Sequence, residues 1–178
     1  MKWLLFATLI LFSAGLWAQE SDSLSDEAFM ENELLVIAGK VKSEYKNAPL
    51  ENAEVIAITG SDTIAKFITK KDGLVNMELD YGSIYQIHYK HPNFVQKIIT
   101  VDTRKVPRVI RVEGVELRMD VALPPKIENF DYSLLERPIG LAKYDRNDMN
   151  FTFDNKFTRS KLQEYFKLKG KLSIALEQ

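Results

Sequence analysis

The sequence predicts a mainly β protein, an antiparallel sandwich followed by a C-terminal extension that contains one short helix. Three observations carry this. Between Ile37 and Asp102 short apolar segments alternate with turn chemistry. No helical pattern separates those segments, as the crossovers of a parallel sheet would require. Beyond Pro124-Pro125 the composition shifts to an aromatic-rich tail with helical spacing near its end.

The strands follow in order. Leu35, Val36, Ile37, Gly39 and Val41 read as a first strand, and Asn47-Ala-Pro49 as the turn that leaves it. Pro49 presets a turn and cannot sit in a central strand, so the second strand starts after it. There Ala53, Val55 and Ala57 share one face while Glu54, Ile56 and Ile58 share the other. Both faces are partly apolar, which predicts that the outer one is covered as well. Thr63 to Thr69, between Gly60-Ser-Asp62 and Lys71-Asp-Gly73, is β-branched enough for a third strand. Asp72-Gly73 is a tight hairpin signal. Leu74 to Leu79 and Ile84 to Lys90 are expected to pair across Tyr81-Gly82, and Val95 to Val101 follows the turn His91-Pro-Asn93. Tyr85, Ile87 and Tyr89 lie on one face of their strand, with Gln86 and His88 on the other. Gly114 to Leu123 alternates as a last strand does, and Pro124-Pro125 ends it.

These residues resemble a known family. A glycine in the first strand, Pro49-Leu-x-x-Ala53-x-Val55, Thr69-x-x-Asp72-Gly73, then Gly82-x-x-Tyr85-x-Ile87 and Phe94-x-x-Lys97, are similar to the carboxypeptidase-regulatory-like domain of exported bacterial envelope proteins. The likeness runs from Leu35 to Asp102 and extends toward Leu123. It implies a transthyretin-like, seven-stranded Greek-key sandwich over residues 34–125. It also implies an accessory module, because in such proteins the chemistry or transport belongs to another domain.

The C-terminal extension, residues 126–178, departs from that pattern. Thr158 is read as the cap of a helix over about 158–169, with Leu162, Tyr165 and Phe166 on one face. So short a helix is marginal alone and must dock. Burial of those three side chains against Ile56 and Ile58, at about 1.5–3 kcal/mol each, would hold it.

At the other end, Lys2 and the apolar run from Trp3 to Phe12 read as a signal peptide over residues 1–18, cut after Ala18. The run is shorter than the ~20 residues of a membrane span. Residues 19–33 form an acidic leader carrying Glu20, Asp22, Asp26, Glu27, Glu31 and Glu33, expected to be solvated or to fold back on a basic stretch. The expected location is therefore periplasmic, outer-membrane associated or extracellular. No cysteine is present, which excludes disulfides, thiolate catalysis and cysteine-based metal sites. With 24 basic and 25 acidic residues the charge indicates neither a nucleic-acid partner nor polybasic membrane binding.

Catalytic signatures are missing from the sequence. It has no Gly-x-Ser-x-Gly elbow and no phosphate-binding glycine loop. His88 and His91, three residues apart, fall on opposite sides of a strand and make a poor metal pair. The loop with Asp145, Asp148 and Asp154 lacks the glycine and terminal Glu of a calcium loop and contains Arg146. No enzyme activity, cofactor or metal is expected. The reading is an accessory or structural envelope protein that binds another protein by edge-strand pairing or by an aromatic surface of Tyr85, Tyr89, Phe151, Phe153, Tyr165 and Phe166. The alternative is a carbohydrate-binding module using an aromatic sheet face.

Overall fold

The computed structural model describes residues 33–177. The expected signal peptide, and all of the acidic leader except Glu33, lie outside them. Two sheets face each other across one core. The first contains β1 (Leu34–Ser43), β4 (Leu74–Asp80), β7 (Val115–Arg118) and β8 (Val121–Leu123). The second has the order β10-β9-β6-β5-β2-β3, with β2 (Glu54–Thr59), β3 (Asp62–Ile68), β5 (Ile84–His91), β6 (Phe94–Asp102), β9 (Gly140–Asp145) and β10 (Asn150–Phe153). Helix α1 (Arg108–Glu113) bridges β6 and β7, a short 3-10 turn spans Ser133–Glu136, and helix α2 (Asn155–Leu176) ends the described chain.

Alternation within each strand decides what the core contains. Leu35, Ile37 and Val41 of β1 and Val75, Met77 and Leu79 of β4 point inward, and meet Val55, Ala57, Tyr85, Ile87, Tyr89 and Val101 from the second sheet. Successive side chains of a strand alternate between faces, so a buried odd set forces the even set outward. At the rim, buried Thr69 donates its hydroxyl to the Leu50 carbonyl at 2.6 Å and accepts from the Ala53 amide at 2.9 Å. It thereby ties the start of β2 to the end of β3.

Two expected pairings are corrected. Leu74 to Leu79 does not pair with Ile84 to Lys90: β4 lies antiparallel to β1 in one sheet, and β5 lies between β2 and β6 in the other. Tyr81-Gly82 is thus a crossing between sheets, where the Tyr85 hydroxyl donates to the Asp80 carbonyl at 2.9 Å. Asp72-Gly73 likewise turns the chain from β3 into the opposite sheet, because Gly73, at φ 68°, brings its backbone against the Val41 carbonyl that an added Cβ would meet at 2.5 Å.

The sheets are not wholly antiparallel. β7 and β8 run parallel to β1, and β9 runs parallel to β6. β7 and β8 are one strand interrupted at Met119-Asp120, and counted so the sandwich up to Leu123 has seven strands. The interruption is possible because Gly39, at φ 148°, leaves room for the Met119 backbone; a Cβ there would sit 2.0 Å from the Met119 carbonyl oxygen.

The chain after Pro125 extends the second sheet rather than lying outside it. β9 pairs Gly140 to Lys143 with Ile99 to Asp102, β10 pairs with β9, and Ala142, Tyr144 and Phe151 join the core. The 3-10 turn packs on β6 and buries Leu135 completely.

Candidate interaction surfaces

Helix α2 is longer than the sequence suggested, 22 residues, and starts earlier. Asp154, not Thr158, caps it: its carboxylate accepts from the Phe157 amide at 2.9 Å and from Lys143 Nζ at 2.5 Å. A carboxylate placed at the amino end of a helix satisfies a free N–H and meets the positive end of the dipole.

The inward side of α2 is held by a polar cluster and not by apolar burial alone. The Tyr165 hydroxyl donates to Glu44, a residue just past β1. Lys97 Nζ, from β6, is 3.7 Å from the Glu44 carboxylate and 4.2 Å from the centroid of the Tyr165 ring. Lys169 Nζ approaches the same carboxylate at 3.3 Å, and the Tyr45 and Ser173 hydroxyls lie 3.1 Å apart. Burial lowers the Lys97 pKa to about 8 against the opposing pull of Glu44. Tyr165 is pushed far up, first by burial and then by its bond to Glu44. Below these groups Leu172 is fully buried.

Sequence reasoning missed Glu44, Lys97 and Lys169. The signal was present, since Lys97 shares its strand parity with core residues Ile99 and Val101. An inward lysine demands a carboxylate nearby.

The six aromatic residues expected to form a surface do not lie together. Tyr85 and Tyr89, 2% and 1% exposed, face the other sheet. The parity reading placed them on one face correctly, but that face is the core, so no aromatic sheet face is offered to a glycan there. Phe151 is buried edge-on against Tyr144, with ring centroids 6.1 Å apart, and Tyr165 is buried at the helix seam. Phe153 and Phe166 remain exposed. Phe153 projects on the same side of β10 as Phe151, and its ring lies over Gly140. Nor does α2 bury Leu162 and Phe166 on Ile56 and Ile58: it packs on β9, and those two side chains are 42% and 63% exposed. The polar cluster sets the rotation of the helix, turning Leu162 and Phe166 away.

A second surface is the outer face of the six-stranded sheet around β2 and β3. Ile56 and Ile58 are only half-buried there, and Ile64, Ile68 and Ile84 are exposed. Lys66 crosses this face to Glu54 at 2.9 Å. β3 is the edge strand, and a bulge at Ile64, between the Ala57 and Ile58 pairings, breaks its register. A bulge and an outward lysine both hinder strand addition, so the face is better suited to docking than the edge.

The polar candidates have local roles. His91 Nδ1 accepts from the Asn93 amide at 3.2 Å, and the His91 ring meets Phe94 edge-on. His88 is on the outer face with its pKa lowered, chiefly by burial. Asp145 accepts from the Asn147 amide at 2.8 Å and so forms the β9–β10 turn. No group of three His, Cys, Asp or Glu side chains suited to a metal occurs among the described residues.

No protein-family model matches the chain, and no curated protein sequence matches it. Solved structures do resemble it. A catechol 1,2-dioxygenase from Acinetobacter is 12% identical over 61% of this chain and 58% of its own, with a TM-score of 0.42. A Klebsiella pneumoniae 5-hydroxyisourate hydrolase is 11% identical over 52% of this chain and 92% of its own, at 0.37. The group B streptococcus pilus 2b backbone protein is 11% identical over 52% of this chain and 42% of its own, at 0.35. The chain thus spans less than two thirds of the dioxygenase and of the pilus protein. Enzymes among these structures correct the expectation that a sandwich of this kind is not an enzyme. At these identities the likeness is one of fold alone, a β-sandwich of two sheets.

Proposed function

We propose that the chain is an exported accessory protein of a bacterial envelope that works by binding a partner protein through the outer face of its six-stranded sheet. The observation that carries this is the set of Ile56, Ile58, Ile64, Ile68 and Ile84 on that face, only partly covered and interleaved with Lys66, Glu54 and Gln86. Several large aliphatic side chains left exposed on one sheet face mark a docking surface. Polar side chains set among apolar ones are what a non-obligate protein interface presents. Export rests on the signal-peptide pattern of Lys2 and the run from Trp3 to Phe12.

The test is site-specific photocrosslinking in the native envelope, with the reactive residue at Ile64 or Ile68 and a control at Glu78 on the outer face of the other sheet. One discrete adduct from the isoleucine positions, absent from Glu78, is expected. Equal adducts at all three positions, or none, would sink the reading.

A further inference from the structure

We propose that the solvent side of α2 is a peripheral docking surface for anionic phospholipid, on which the helix lies flat. This is independent of the sheet-face reading, since it concerns another element. The helix carries six basic residues and one carboxylate in its 22 residues. Tyr165 and Leu172 take its inward side, and Lys161 and Lys169 sit partly buried at the rim. What remains outward is Lys156, Arg159, Lys167 and Lys171, all exposed, interleaved with Leu162, Phe166 and Ile174, the last two each 63% exposed.

The single carboxylate, Glu164, is turned to Lys161 at 3.2 Å. No ion pair among the described residues engages Lys156, Arg159, Lys167 or Lys171. A near-neutral chain therefore presents one element with unbalanced positive charge, which the whole-chain tally averages away against the acidic residues before Leu34.

Three features select a lipid surface over other acidic partners. Phe166 and Ile174 are eight residues apart, about 12 Å along the axis, so both touch a flat acceptor at once. Along most of its length the outward side is the convex flank of a helix, and only Lys167 and Lys171 border a groove, against Asn129 to Leu134. Cations stand among and beside the apolar residues, so that when aromatic and aliphatic side chains sit at the headgroup boundary phosphates can be held around them. No helix among the described residues is long and apolar enough to cross a membrane, so α2 would lie on the surface.

The chain has no cysteine, which allows one to be placed at will. Gln163→Cys on the outward side of α2, carrying an environment-sensitive fluorophore, is compared in the full chain with Gln86→Cys on the sheet face. Vesicles of phosphatidylglycerol and phosphatidylcholine in about equal parts are compared with phosphatidylcholine alone, and salt is raised to roughly 0.5 M, where screening is strong. The expected result is a blue shift at residue 163 and not at 86, on the anionic vesicles only, reversed by salt. Lys167→Glu with Lys171→Glu is expected to weaken it at least tenfold, and Phe166→Ser with Ile174→Ser to abolish it. These positions are exposed, so circular dichroism is expected to show unchanged helix content in each variant. The proposal is overturned by a label that stays aqueous on anionic vesicles, by an equal response on neutral ones, or by indifference to both double variants. It is equally overturned if soluble polyglutamate shifts the label as strongly as the vesicles do, which would point to an acidic protein.

Discussion

Gly39 is where a single atom decides whether the first sheet closes. Gly39→Ala would place a methyl group 2.0 Å from the Met119 carbonyl oxygen, at a φ that side chains rarely adopt. Relieving the clash means separating β1 from the β7–β8 junction. A loss of about 2–4 kcal/mol is expected from strain of this kind, readable as a lower urea midpoint. Lys97 governs a different property at the same scale. Its pKa of about 8 in the fold lies below the ordinary 10.5 of a lysine, so between those values the unfolded chain holds the extra proton and stability rises with pH. Tyr85, Tyr89 and Tyr165, all raised chiefly by burial, act oppositely above pH 10, where unfolding lets them ionise. Thermal scans are therefore expected to show a rise from pH 8 toward 10 and a fall beyond. In Lys97→Met the rise should vanish while the fall persists.

What the sequence made legible at this scale was parity. Val55, Ala57, Tyr85 and Tyr89 could each be assigned to a face from the alternation of their strands, and the turns at Pro49, Gly73 and Gly82 from their residue types. Parity cannot say which of two faces is the core when both carry apolar residues, as in β2, but in β5 it opposes Tyr85, Ile87 and Tyr89 to Gln86 and His88 and so marks the tyrosine face as the core. It also cannot say that an inward Lys97 has a carboxylate waiting at Glu44, because those residues are brought together only by the closing of the two sheets.

At the scale of elements, α2 is held from one side and free on the other. Leu172→Ala removes a fully buried side chain and is expected to cost about 2–5 kcal/mol. Leu162→Ala and Phe166→Ala on the free side should change stability by less than about 0.5 kcal/mol. Reversal of that order in denaturant titrations would mean that the helix docks the other way round. Asp154→Ala deprives the helix of its cap and Lys143 of its partner, and a lower thermal midpoint with loss of helix signal is expected. The helix itself was legible from the spacing of its apolar residues, whereas its ends were not: Thr158 and Asp154 are both good caps, and only the β10 pairing that ends at Phe153 selects between them. The partner of each strand was likewise hidden. A seven-residue strand such as β4 carries its face in its pattern but not its neighbour, so β4 and β5 looked like a hairpin although they belong to opposite sheets.

For the whole molecule, the stretch after Pro125 completes the fold. Truncation after Lys126 removes β9 and β10 from the second sheet, strips Ala142, Tyr144 and Phe151 from the core and uncovers Lys97. A sharply lowered melting temperature, or failure to fold, is the expected outcome. An unchanged melting temperature would show that the first seven strands are sufficient without it.

The parallel pairing of β1 with β8 has a consequence in time. Val41 finds its partner at Val121, and Ile99 finds its own at Gly140, so neither sheet can be finished from local contacts. Contacts so distant along the chain slow folding, because a long loop must be closed before they stabilise anything. β1 can pair with β4 early, whereas its other edge stays open until Val115 to Leu123 have been made.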